Sequence, residues 1–140
     1  MSNQIEISIE IIFHATEDSR KIFEPIFDIF QIKKEEFSEE KIIGHYGNPI
    51  LFFRTMISKK RAEEFVHILV SKISQVQLDE ILGNIDMYFE DSSLFLRIGK
   101  GELVNKTISL QQNNAIKIKI KVPIYKKDDI VRTYTELLRP

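Results

Sequence analysis

Residues 4–13 read QIEISIEIIF, an alternation of apolar and polar residues that decides the fold. Successive side chains of a β-strand point to opposite faces, so a period of two predicts a strand with one buried face. The same alternation returns in residues 115–124, AIKIKIKVPI, which is the clearest strand signal in the chain. It sends the isoleucines towards a core and the lysines to the other face.

Apolar residues at helical spacing predict helices at about 17–30, 59–75, 77–83 and 127–138. We expect Thr16 to cap the first helix and Pro25 to kink or divide it, because proline lacks the backbone donor. Ser58 is the expected cap of the second helix, and Gly83-Asn84 an expected left-handed stop of the third. The last helix is predicted to turn five residues inward: Ile130, Val131, Tyr134, Leu137 and Leu138.

Further strands are predicted at about 36–46, 50–57, 93–99 and 103–110, the last two forming a hairpin around Gly99-Lys100-Gly101. The resulting order is β-α-β-β-α-α-β-β-β-α. Hairpin-linked strands with grouped helices indicate the α+β class, with an antiparallel or mixed sheet and helices packed on one face. We expect one domain, residues 1–140.

The composition supports one soluble, folded domain. The 140 residues are 43% hydrophobic and 29% charged, which is typical of globular proteins. The absence of cysteine excludes disulfides, thiolate nucleophiles and cysteine-based metal sites. The longest apolar run, Pro49–Phe53, is too short for a membrane span or a signal peptide, so a cytoplasmic protein is expected.

Charge is divided unevenly along the chain, although the net charge is only −1. Residues 1–96 hold 10 Lys and Arg against 17 Asp and Glu, whereas residues 97–140 hold 10 against 4. A basic segment attracts phosphate locally even when the whole protein is nearly neutral. The distribution therefore keeps RNA among the expected partners.

Lys117, Lys119 and Lys121 are the strongest candidate binding residues. A strand spaces them about 6.5–7 Å apart, close to the separation of successive phosphates in a nucleic-acid strand. The alternative is a solvated sheet face whose lysines discourage edge pairing.

A second basic group, Lys59-Lys60-Arg61, begins a predicted helix, where each cation costs about 0.3–1 kcal/mol against the helix dipole. An RNA phosphate at the free N–H groups would offset that cost. Alternatively, Glu63 and Glu64 or another acid screen the repulsion.

The turn Gly44-His45-Tyr46-Gly47-Asn48-Pro49-Ile50 is a third candidate. His45 and Tyr46 can stack on an unpaired base, and Asn48 can pair with a base edge. The alternative is hairpin chemistry alone, with Asn48 extended because proline follows.

Catalysis has weak support. The three histidines lack metal-ligand spacing, and there is no Walker loop. His14 with Glu17 would be the candidate general base and its acid partner, and His45 the residue that joins them. We expect a non-enzymatic protein with no metal and no cofactor.

Two stretches, His14-Ala15-Thr16-Glu17-Asp18 and Gly44–Ile50, together with their spacing and the chain length, resemble an archaeal family of RNA-binding proteins and predicted exosome-associated subunits. The resemblance implies an archaeal source and a fold like the large-subunit ribosomal protein that binds 5S rRNA, with a curved sheet. The motif residues carried over are His14, Thr16, Glu17, Gly44, His45, Tyr46, Gly47, Asn48 and Pro49.

The leading hypothesis is therefore an RNA-binding protein, with subunits of an RNA-processing or degradation complex as further partners. Seven residues would contact phosphates: Arg54, Lys59, Lys60, Arg61, Lys117, Lys119 and Lys121. Three would contact bases or sugars: His45, Tyr46 and Asn48. The alternative is a protein-interaction module or homodimer that pairs through a sheet edge or the Phe-rich first helix.

Overall fold

The computed structural model describes residues 4–44 and 46–139. The strands within these residues are β1 (Glu6–His14), β2 (Ser38–Ile43), β3 (Pro49–Ser58), β4 (Phe89–Glu90), β5 (Ser93–Gly99) and β6 (Ala115–Lys121). The α-helices are α1 (Arg20–Phe30), α2 (Lys59–Lys72), α3 (Gln75–Gly83), α4 (Lys100–Val104) and α5 (Ile130–Leu138). Short 3₁₀ turns lie at Lys34–Glu36, Ile85–Met87 and Lys127–Asp129.

The six strands form one open sheet in the order β2-β3-β1-β6-β5-β4, and every neighbouring pair is antiparallel. β1 lies inside the sheet and pairs with β3 along its whole length, from Glu6 opposite Ser58 to His14 opposite Ile50. On its other side it pairs with β6, with Glu6 opposite Lys121 and Glu10 opposite Lys117. The predicted α+β fold with an antiparallel sheet is confirmed.

The alternation read from the sequence separates the two faces of the sheet. The inward isoleucines of β1 and β6 are almost fully buried, and they belong to one core with the apolar sides of α1, α2 and α5. Burying each such side chain stabilises the fold by about 1.5–3 kcal/mol. The side chains of opposite parity are exposed or half-buried. We call this second surface the open face.

The first helix differs from its prediction in two ways. It begins at Arg20, with Ser19 and not Thr16 at its N-cap position, and it continues through Pro25 without a break. The ring of Pro25 is buried against the core. The carbonyl that loses its partner belongs to Lys21, an exposed residue, so water can donate to it in place of the missing N–H.

The hairpin predicted around Gly99-Lys100-Gly101 forms only at its end, where a single antiparallel bridge joins Leu110 to Ile98 of β5. β5 pairs with β6, and residues 100–104 form α4 where a turn was expected. Lys100 is only 5% exposed, and its backbone N–H donates to the carbonyl of Asn114 at 3.0 Å. These contacts join segments far apart in sequence, so local alternation in residues 103–110 could not reveal them.

Three further expectations about the helices are confirmed only in part. Asn84 has φ −133° and is not left-handed, because a 3₁₀ turn follows α3 directly. Ser58 occupies the N-cap position of α2, but among the described residues its hydroxyl makes no capping bond. Val131 is 44% exposed, because the buried stripe of α5 consists of Ile130, Tyr134 and Leu138 at intervals of four residues.

None of the described helices combines the length and apolarity that crossing a bilayer requires.

Candidate nucleic-acid interface

The strand register places charged residues in rows across the open face, because residues paired across strands share a face. One row runs Arg54, Glu10, Lys117, Arg97 across β3, β1, β6 and β5. The next runs Met56, Ser8, Lys119, Phe95, and the third runs Ser58, Glu6, Lys121, Ser93. The three lysines of β6 therefore form a ladder down the middle of this surface.

Cations outnumber acids in these rows, five against two. Arg54 is partly neutralised, because its Nε lies 3.8 Å from Oε2 of Glu10. Within the described part of the chain, the three ladder lysines and Arg97 have no carboxylate within ion-pair distance. The middle of the open face therefore carries a net excess of positive charge, which Glu10 and Glu6, opposite Lys117 and Lys121 in the register, offset only in part.

An aromatic ring lies among these cations. Phe95 is half-buried on β5, and its ring centroid lies 5.1 Å from Nζ of Lys117 and 5.8 Å from Nζ of Lys119. A planar π surface beside cations is the combination that binds unpaired nucleotides, since bases stack on the ring while phosphates meet the charges.

Sequence reasoning missed Phe95 and Arg97. The signal was present in residues 93–99, SLFLRIG, where Leu94, Leu96 and Ile98 alternate and point into the core. Period-two parity sends Phe95 and Arg97 outward, to the same side as the ladder.

A cleft of about 530 Å³ opens beside Phe95, at the β4 edge of the open face. The carbonyl of Tyr88 accepts a 2.7 Å hydrogen bond from the Phe95 N–H, so Tyr88 extends the strand pairing next to the ring. Burial and, secondarily, the charge of Glu80 raise the pKa of the Tyr88 phenol. The lining residues are Glu80, Asn84, Met87, Tyr88, Phe89, Glu90, Phe95, Arg97, Gln112 and Lys117.

The basic group at the start of α2 is divided by the structure. Lys59 and Lys121 line one cavity of about 470 Å³, so Lys59 extends the ladder at its far end. Arg61 instead pairs with Glu36, through Nη1 at 2.5 Å and Nη2 at 3.1 Å, and the charge of Glu64 adds a smaller attraction, so the acids of the stated alternative compensate this cation. Lys60 is exposed, and among the described residues it forms no ion pair with a carboxylate.

The hairpin between β2 and β3 lies towards the other end of the sheet. Gly47 has φ +79°, a conformation that favours glycine, and its N–H donates to the carbonyl of Gly44 at 3.0 Å. Tyr46 is 87% exposed and Asn48 is also exposed, whereas His45 lies outside the described residues. Ile50 and Lys117 are separated by four residues along the strand direction and by two strand spacings. At about 3.3 Å per residue and about 4.8 Å per strand, their backbones lie about 16 Å apart.

In the candidate general-base pair of His14 and Glu17, the carboxylate of Glu17 is held by other groups. Burial raises the pKa of the Glu17 carboxyl, but the hydrogen bond from the backbone N–H of His14 and the ammonium of Lys100 outweigh it, so the pKa lies below its ordinary value. Glu17 Oε2 lies 3.1 Å from Lys100 Nζ. In the described residues no group of three or more His, Asp or Glu is arranged to hold a metal ion.

A family model described as RNA binding matches residues 6–122, from the first residue of β1 to just beyond the last residue of β6. The chain belongs to this RNA-binding family. The match spans the complete sheet, including the ladder and Phe95, and leaves out α5.

Similar proteins come from archaea. An uncharacterised protein of Methanocaldococcus jannaschii is 30% identical over 106 residues, which are 71% of this chain and 70% of that protein. A crystal structure of a DUF54-family protein from Archaeoglobus fulgidus has a TM-score of 0.81 and 26% identity, covering 94% of this chain and 97% of that one. A DUF54 protein from Methanothermobacter thermautotrophicus has a TM-score of 0.76 and 27% identity, covering 97% and 99%.

These findings confirm the predicted kinship with an archaeal RNA-binding family. The exosome association and the likeness to a ribosomal protein stay predictions.

Proposed function

We propose that the protein binds RNA through the open face of its sheet, as a binding protein and not as an enzyme. The observation that carries the proposal is the ladder of Lys117, Lys119 and Lys121, which makes no ion pair within the described residues and is flanked by an aromatic ring. Membership of the RNA-binding family supports it independently.

The ladder acts through phosphates. Its lysines repeat at about 6.5–7 Å, so an extended RNA strand can place successive phosphates opposite successive ammonium groups. Each phosphate neutralised releases condensed counterions, and this gain supplies most of the sequence-independent affinity. Arg54 contributes less than the lysines, because Glu10 already shares its charge.

The other residues predicted to contact RNA differ in how much they contribute. Lys59 adds a phosphate contact at the far end of the ladder, whereas Arg61 is held by Glu36 and contributes little. Tyr46 and Asn48, exposed in the hairpin that precedes Ile50, contact a base or sugar two or three nucleotides further along the strand, and the predicted contact of His45 lies outside the described residues.

The test compares two charge-matched triple variants in a titration of RNA over a range of salt concentrations. One carries Lys117→Gln, Lys119→Gln and Lys121→Gln, and the control carries Lys21→Gln, Lys33→Gln and Lys72→Gln on helices or loops away from the ladder. We expect the slope of log K against log salt to fall by about 2 in the ladder variant, at about 0.7 per phosphate contact, and to stay unchanged in the control.

Equal losses in the two variants, or no RNA binding by the native protein, would contradict the proposal. Full-length RNA recovered after prolonged incubation supports the non-enzymatic part, and shortened RNA would overturn it.

The second candidate is a protein-interaction module or homodimer. It is favoured by exposed apolar side chains of β1 and β3 on the open face, with Ile12 46% and Met56 63% exposed. The edge strand β2 is exposed throughout. Light scattering at several protein concentrations tests self-association, and a concentration-independent monomer would exclude the homodimer.

We also propose that the protein associates with subunits of an RNA-processing or degradation complex. The resemblance of the two sequence motifs to the archaeal family supports this association. A pull-down repeated after nuclease treatment tests it. Protein partners that stay bound after the RNA is digested support direct association, and their complete loss contradicts it.

A further inference from the structure

We propose that the cleft beside Phe95 holds one unpaired nucleobase, so that the open face selects single-stranded RNA over duplex RNA. This inference rests on the proposed RNA-binding function and names the class of RNA that the same face takes.

Phe95 supplies the aromatic surface on which a base would stack. It occupies an outward position on a strand whose neighbouring outward residues on β6 are lysines, and it stays half-buried there. Both ammonium groups lie over the ring, at 5.1 and 5.8 Å from its centroid. Lysine stems are flexible, so a base can take the ring face while the ammonium groups move onto the adjoining phosphates.

The chemistry of the cleft decides which part of a nucleotide enters it. Glu80 and Glu90 line it and offset the charges of Arg97 and Lys117 in the same wall, so a phosphate placed in the cleft meets the repulsion of two carboxylates. A neutral base meets no such repulsion, and its edge offers donors and acceptors to carboxylates and to the amides of Asn84 and Gln112. The base therefore enters the cleft and the phosphates remain on the ladder.

The dimensions agree with this division. The cleft of about 530 Å³ lies within the range of small-molecule sites, about 300–1,000 Å³. Tyr88 and Phe89 add two more half-buried aromatic side chains to its wall. Lys117 lines the cleft and also begins the ladder, so the ribose and phosphate of the bound nucleotide lie within reach of the same lysine.

A duplex cannot use this site. The bases of an A-form helix are stacked and paired inside it, so a protein reaches mainly phosphates and 2′-hydroxyls. Duplex RNA would therefore contact the ladder alone and gain nothing from Phe95.

The experiment measures fluorescence anisotropy of two probes: a 12-nucleotide RNA of alternating A and C, and the blunt duplex of that strand with its complement. The native protein is compared with Phe95→Leu, which keeps an apolar side chain but removes the π face. Phe27→Leu is the matched control, because Phe27 is an exposed phenylalanine on α1.

We expect the native protein to bind the single strand at least tenfold more tightly than the duplex. Phe95→Leu should weaken single-strand binding by about 5- to 100-fold, the usual effect of losing one stacked base, and leave duplex binding unchanged. A single strand containing 2-aminopurine should lose fluorescence on binding the native protein, which reports stacking without any substitution.

Equal affinity of the native protein for the two probes, or unchanged single-strand binding by Phe95→Leu without 2-aminopurine quenching, would overturn the inference and leave the proposed function standing. Failure of the native protein to bind either probe would overturn the proposed function itself.

Discussion

Replacing Lys100 by methionine should destabilise the fold by about 2–3 kcal/mol. The side chain is only 5% exposed, and its Nζ contacts Oε2 of Glu17 at 3.1 Å, the carbonyl of Ile12 and, at 4.7 Å, the ring of Phe13. Methionine keeps the length and the apolar stem but removes the charge. Breaking a fully buried ion pair costs about 3–5 kcal/mol, and the side chain of Glu17 is 28% exposed, so water reduces the loss.

The measurement is urea unfolding at pH 7, followed by circular dichroism, for Lys100→Met, Glu17→Gln and the double variant. The double variant should be no less stable than Lys100→Met, because it removes the carboxylate that the first change leaves without its partner. A loss below about 0.5 kcal/mol for Lys100→Met, or strictly additive losses in the double variant, would refute the reasoning.

The same pair predicts a pH dependence. The folded-state pKa of Glu17 lies below its ordinary value of 4.5, so its contribution to stability is present above pH 4.5 and is lost as the pH falls through the folded-state pKa. The difference in stability between the native protein and Glu17→Gln should therefore shrink in acid. A difference that stays constant or grows below pH 4 would contradict this assignment.

Three further changes test other parts of the fold by the same unfolding measurement. Arg61→Met should cost at most about 1 kcal/mol, and less in 0.5 M salt, because its pair with Glu36 is solvent-exposed; a loss above 2 kcal/mol would contradict this. Pro25→Ala should stabilise the protein by about 1 kcal/mol, since the regained helix hydrogen bond outweighs the lost ring packing, and a net destabilisation would show that packing dominates. Tyr134→Phe should cost about 1–3 kcal/mol, because the buried hydroxyl bonds the carbonyls of Ser92 and Ile120. Burial also raises the pKa of Tyr134, so the native protein should lose stability as the pH rises above 10, and Tyr134→Phe should lose less.

Patterns of period two and of helical period could be read from the sequence because they are local. The alternation of β1 and β6 predicted which side chains are buried and that the three lysines share the opposite face. The α+β class followed from the order of such segments. What the sequence could not supply was the order of strands in the sheet, because pairing of β6 with β1 joins residues more than a hundred positions apart.

The errors arose where long-range contacts override local preference. Residues 100–104 form a helix where a turn was expected, and its first residue, Lys100, contacts Glu17 and Ile12, neither of which is near it in sequence. The sequence predicts Arg61 as a phosphate ligand because its carboxylate partner, Glu36, lies 25 residues away and is not visible in the local pattern. The outward position of Arg97, in contrast, could be predicted from sequence alone, because it follows from the alternation of buried and exposed residues in its own strand.

The position of β6 has a consequence for biosynthesis. This strand inserts between β1 and β5, so during translation the sheet stays divided into two pieces until residues 115–121 leave the ribosome. Because the same strand carries the ladder, a partly synthesised chain cannot present the cations as a surface. Under the proposed function, the complete phosphate-binding surface therefore forms only when the last strand closes the sheet.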